Sequence, residues 1–140
     1  MAIAAELLNA YAATDFIVFD DGGEWAVRVG EASPRIDRLL ARFASETATI
    51  VTACNPRSRV LPPEENAARH RDLCALLKAE DWPFLLGEGR DPHGHWIAET
   101  ECIVFGTSLA DGLDLARQFD QNAIVFLERG HAPRLEFPEG

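Results

Sequence analysis

At 140 residues, 47% of them apolar and 26% charged, the chain has the size and composition of one globular domain (1–140) with a buried core, which excludes disordered and fibrous classes. A formal net charge of −10 repels nucleic acid, and the densest basic stretch, Arg57, Arg59, Arg69 and Arg71, is interleaved with Glu64, Glu65 and Asp72, so no nucleic-acid partner is expected. Cys54, Cys74 and Cys102 are odd in number, widely spaced and without a CxxC pair, which excludes a zinc ribbon or a disulfide framework and fits reduced thiols in the cytoplasm.

The N-terminal stretch MAIAAELLNAYAATD has no basic region and carries Glu6, so it reads neither as a signal peptide nor as a membrane span. Helical spacing over 2–12 instead places Ile3, Leu7, Leu8 and Tyr11 on one face. Phe16-Ile17-Val18-Phe19 is a β-run. Asp20-Asp21-Gly22-Gly23 is a hairpin turn, because Asp and Gly tolerate positive φ, and 25–29 returns as the second strand. Ser33-Pro34 starts a helix that buries Ile36, Leu39, Leu40 and Phe43. The β-branched run 47–53 is a central strand, which Asn55-Pro56 ends because proline cannot donate to a ladder.

Pro62-Pro63-Glu64-Glu65 opens the next helix, 62–79, with Leu73, Leu76 and Leu77 as its core stripe. A short strand at 83–86 precedes a turn-rich loop, 87–95, and a longer strand follows at 96–105. Ser108 caps a helix bearing Leu109, Leu113, Leu115, Ala116 and Phe119. Gln121-Asn122 closes it, 123–127 is the last main strand, and 130–140 reads as an irregular tail with 134–136 as an edge strand. The order hairpin, helix, strand occurs twice, with equal spacing from Gly30 and from Gly106 to the helix core, a candidate ββαβ pseudo-repeat. The fold expected is α/β or α+β: one mixed, largely antiparallel sheet of five or six strands covered by three or four helices.

Polar groups gather where strands end, the usual place for ligands in sheet proteins. Asn55 and Ser58 follow a central strand. Asn66 and Arg69 are neighbours on one helix face. Their structural alternative is an Asx-turn at Asn55, loop amides on Ser58, and an Arg69–Glu65 pair. Gly87-x-Gly89 is neither a Rossmann fingerprint nor a P-loop, but lets a ligand approach the backbone. Asp91, His93, His95 and Glu99 allow a metal reading, but Pro92 and Gly94 favour a plain exposed turn, so no metal site is assigned. Glu99 and Glu101 share one side of a strand, and an acid in that apolar stretch needs a partner or a role. Cys54, in an apolar strand, reads as a buried structural cysteine.

Tyr11-x-x-Thr14, Asn55-Pro56-x-Ser58, Asn66-x-x-Arg69, Gly87-x-Gly89-x-Asp91-x-x-Gly94-x-Trp96-x-x-Glu99 and Gln121-Asn122-Ala123 together resemble a family of small bacterial proteins, domain of unknown function 3293. The resemblance spans nearly the whole chain and implies no reaction and no cofactor. It does shift weight toward a shared pocket for its polar residues.

Two functions follow as expectations. In the first, a cytoplasmic protein binds a small polar or anionic, nucleotide-like ligand. Asn55, Ser58, Asn66, Gly87, Gly89, Trp96, Gln121 and Asn122 line the site, Arg69 holds an anionic group, and Glu99 is the acid or base if there is chemistry. In the second, a non-catalytic module docks a protein partner and the same polar residues are structural.

Overall fold

The computed structural model describes residues 5–139. In chain order its elements are α1 (Ala5–Ala13), β1 (Asp15–Asp20), β2 (Gly23–Val27), α2 (Pro34–Arg42), β3 (Thr47–Val51), α3 (Pro63–Ala79), β4 (Phe84–Arg90), β5 (Glu99–Phe105), α4 (Leu109–Gln118), β6 (Ile124–Glu128) and β7 (Arg134–Glu136). A short 3₁₀ turn, Pro56–Ser58, follows β3. The N-caps of α2 and α4 lie where the sequence puts them. Ser33 accepts from Arg35 N with Pro34 in the first turn, and Ser108 and Asp111 form a reciprocal capping box.

The strands make one seven-stranded sheet, β2-β1-β4-β5-β3-β6-β7, and every pairing among the described residues is antiparallel. The sheet is therefore antiparallel rather than mixed, and larger than the five or six strands expected. The seventh strand comes from the tail, where Leu135 packs against the core and earns Arg134–Glu136 a place beside β6. Gly87 to Arg90 also belong to β4 rather than to a loop; Gly87 to Gly89 pair with both β1 and β5, and Arg90 with β1. Glycine is needed at Gly87 because a Cβ there would collide with the Ile17 carbonyl oxygen and sit 2.7 Å from Ile103 Cδ1.

The repeated hairpin, helix, strand order is present, but its two helices lie on opposite faces. α2 packs on the face of Val18, Ile103, Phe105 and Leu127, while α3 and α4 pack on that of Val51, Cys102, Val104 and Ile124. The reason is handedness. β2 and β5 run in opposite directions, yet the crossovers β2–α2–β3 and β5–α4–β6 step the same way across the sheet. The strong preference for right-handed crossovers then requires opposite faces.

α2 covers only part of its face. Phe16, Ile50, Val125 and the first half of β5 extend beyond it, and α1 lies over that remainder. Of the face expected on α1, Leu7 and Tyr11 do turn inward, Leu8 is 38% exposed, and Ile3 lies outside the described residues. No residue of α1 is fully buried.

Candidate functional site

The connection from β3 to α3 is shaped by left-handed backbone. Asn55, Arg57 and Ser58 all have positive φ, at 46°, 53° and 62°. Asparagine tolerates this region; arginine and serine do so at a cost of about 1–2 kcal/mol each. Hydrogen bonds hold the connection in place. Asn55 N donates to Asn66 Oδ1 at 2.9 Å, and Asn55 Oδ1 accepts from Asn66 Nδ2 at 2.8 Å and Leu61 N at 2.9 Å. Arg69 reaches across to the backbone, giving Nε to Ala53 O at 2.5 Å and an Nη to Phe119 O at 2.6 Å. Gln121 Nε2 donates to Cys54 O at 3.0 Å, and Asn122 Nδ2 to Ser58 Oγ at 3.0 Å. Asp120, not Asn122, takes the left-handed position after α4.

One group of this network turns the other way. Asn55 Nδ2 donates to Glu99 Oε2 at 2.5 Å, and Glu99 faces a cavity of about 480 Å³ between α1 and the sheet. That volume suits a small molecule. The wall is mostly apolar, with Leu7, Phe16, Ile50, Val125 and Leu135 contributing. The rim is apolar too: Val60 is 84% exposed, Ile97 82% and Trp96 39%.

Asn55, Ser58, Gly89, Trp96, Glu99 and Gln121 line this cavity, so six of the expected site residues converge. Asn66, Arg69, Gly87 and Asn122 do not line it. Arg69 rises from α3, which packs on the opposite face of the sheet, and gives Nε and one Nη to two backbone carbonyls rather than to the cavity. Asp91 is likewise committed. Its carboxylate accepts from His93 N at 2.9 Å and His95 N at 2.8 Å, which closes an exposed turn and holds its acid below the usual range.

Two further ionisable residues line the cavity. Tyr11 brings a phenol from α1, raised by burial and by the Glu99 charge, against a hydrogen bond to Ser58. Glu101 stands two residues beyond Glu99 on the same side of β5 and is 4% exposed, and its Oε1 is buried with no hydrogen-bond partner among the described residues. Burial, then the Glu99 and Glu88 charges, push its carboxyl well above the usual range. Gly89 makes room for it, since a Cβ there would lie 3.0 Å from Glu101 Oε2. Glu99 is raised as well, by burial, with the Asn55 hydrogen bond opposing. Both shifts favour the protonated carboxyl relative to an exposed one. The sequence signal for Glu101 is its position, an acid inside the apolar half of a strand and in register with Gly87.

A family described as "Protein of unknown function (DUF3293)" matches residues 51–124. The chain belongs to this family. The matched stretch holds the left-handed connection, α3, β4, β5 and α4, and with them both carboxyls and every expected site residue. Leu7 and Tyr11, the cover of the cavity, lie outside it. Comparison with curated proteins and with solved structures found no match. No helix among the described residues is long and apolar enough to cross a membrane.

Proposed function

We propose that the cavity beneath α1 binds a small molecule with an apolar body and a hydrogen-bond-donating head, a protonated amine foremost. The observation that carries this reading is Glu101, a buried carboxyl with an unpartnered oxygen at the wall of an apolar cavity. A buried polar group without a partner costs about 1–3 kcal/mol, which a donor brought by a ligand would recover. Glu99, Tyr11, Asn55 and Gln121 add polar contacts beside it. No lysine, arginine or histidine among the described residues lines the cavity, so an anion would meet two acids and no counter-charge. The ligand is thus a donor, not the phosphate or carboxylate that Arg69 suggested. The apolar rim of Val60, Trp96 and Ile97 suits entry of an apolar body.

The test is a thermal-shift screen of aliphatic and aromatic amines against carboxylates and phosphates of matched size. A ligand at a hundred times its dissociation constant stabilises the native state by about 2.7 kcal/mol, a visible rise in Tm. Amines should shift the wild type, and Glu101→Gln should lose most of that shift. A preference for carboxylates or phosphates, or a shift unchanged in Glu101→Gln, would refute the assignment.

A further inference from the structure

On the face of the sheet away from the cavity, Cys74 and Cys102, two of the chain's three cysteines, come together although they lie 28 positions apart in sequence. All three are free thiols. Cys74 follows His70 by one turn of α3, so the two share a helix face. Cys102 points from β5 toward them. Cys74 Sγ is 3.5 Å from His70 Nε2 and 3.8 Å from Cys102 Sγ, and the three donor atoms all lie within 4.8 Å of one another.

Those separations have a chemical meaning. A tetrahedral zinc with Zn–S of about 2.3 Å and Zn–N of about 2.05 Å holds two sulfurs about 3.8 Å apart, and a sulfur and a nitrogen about 3.6 Å apart. A disulfide would need an S–S distance of about 2.05 Å, so Cys74 and Cys102 are not bonded to each other. Simple apolar packing explains Cys102, which is fully buried, better than it explains His70. The His70 Nδ1 is buried with no partner among the described residues, and the ring's polar contact is the Cys74 thiol, a weak donor and acceptor. A half-buried imidazole set against two thiols, with so little else to hold it, is a ligand set without a better structural purpose.

We propose that His70, Cys74 and Cys102 bind a zinc ion, or another borderline-soft divalent cation with the same tetrahedral preference, leaving the fourth position to water or a small exogenous ligand. Two thiolates neutralise the cation and the imidazole completes a three-ligand set of the open kind. His70 and Cys74 are only partly buried, which gives the ion a route from solvent. Cys54 is not a ligand: its Sγ lies 3.4 Å from Thr100 Oγ1, outside the cluster.

Cobalt(II) is the probe. The wild-type protein, kept reduced with a phosphine, is titrated with cobalt(II) and then with zinc(II). One equivalent of cobalt should bring in sulfur-to-metal charge-transfer absorption and the intense visible bands of a tetrahedral site, and zinc should displace both. His70→Gln and Cys74→Ser should weaken cobalt binding at least tenfold, while Cys54→Ser should bind as the wild type does. Cys102→Ser should abolish the charge-transfer band if it folds; His70→Gln and Cys74→Ser, at partly exposed positions, decide the matter if it does not. Folded wild-type protein that shows no charge-transfer band, or a band that survives intact in Cys74→Ser, overturns the site.

Discussion

At the scale of single residues, the polar positions of the sequence divide by what their side chains can reach. Arg69 and Gln121 give donors to carbonyl oxygens just beyond β3 and α4, and Asn66 to the Leu61 carbonyl of the connection before α3. Asn55 accepts from Leu61 N with its oxygen and still has an amide to offer Glu99. Residue type and spacing singled out these polar side chains but could not say which side of the sheet each would take. That depends on left-handed φ at three of the four positions 55–58, Asn55, Arg57 and Ser58, a choice made by the loop as a whole. Glu99 itself gives a prediction. Its carboxyl is raised in the folded protein, so the native state holds that proton more tightly than the unfolded chain. The sign follows: its contribution to stability is complete below the ordinary carboxyl value of about 4.5 and is lost as pH rises through the higher folded value. Glu99→Gln keeps an acceptor for Asn55 and removes the titration. Urea denaturation across mildly acidic to neutral pH should show the variant gaining stability relative to wild type as pH rises. A constant difference between the two would mean that Glu99 is not raised by burial.

At the scale of elements, helices with caps were readable and segments with glycine were not. Ser33-Pro34 and Ser108 announced α2 and α4 because capping is a local transaction between a side chain and nearby amides. Gly87-x-Gly89 suggested a loop, whereas both glycines are strand residues kept small by what faces them, the Ile17 carbonyl in one case and the Glu101 carboxyl in the other. Close approach across a sheet is a tertiary fact, invisible to turn chemistry. α1 stands apart from the other helices. It covers a cavity, not a packed core, and buries no residue completely. Local stability follows buried apolar contact, so α1 should open far more easily than α3, whose Leu73 and Leu77 are fully buried. Native-state hydrogen exchange should find the α1 amides exchanging much faster than those of α3, and slowing when a ligand fills the cavity. Equal protection in the two helices would show that α1 belongs to the core and is not a cover.

At the scale of the whole molecule, the two faces share their strands. In β3, Ile50 faces the α2 side and Val51 the α3 and α4 side; in β5, Ile103 and Val104 divide the same way. Glu101 and Cys102 are therefore back to back on one strand, and neither site can lose β5 without the other. The family match begins at the last residue of β3 and leaves out β1, β2 and α2, yet Val18, Val27, Ile36, Leu39 and Leu40 supply much of one core. The matched stretch thus depends on elements outside it, and both layers should unfold as one cooperative unit. Trp25 packs with the first core and Trp82 with the second, which gives each face its own reporter. In variants that keep Trp25 or Trp82 as the sole tryptophan, the fluorescence transition in urea should coincide with the far-ultraviolet circular dichroism transition of the same variant. Coincidence in both would mean that the shared strands couple the faces. If Trp82 reported unfolding at a different urea concentration from the dichroism of its own variant, the α3 and α4 layer would be separable, and the back-to-back placement of Glu101 and Cys102 would carry no energetic link.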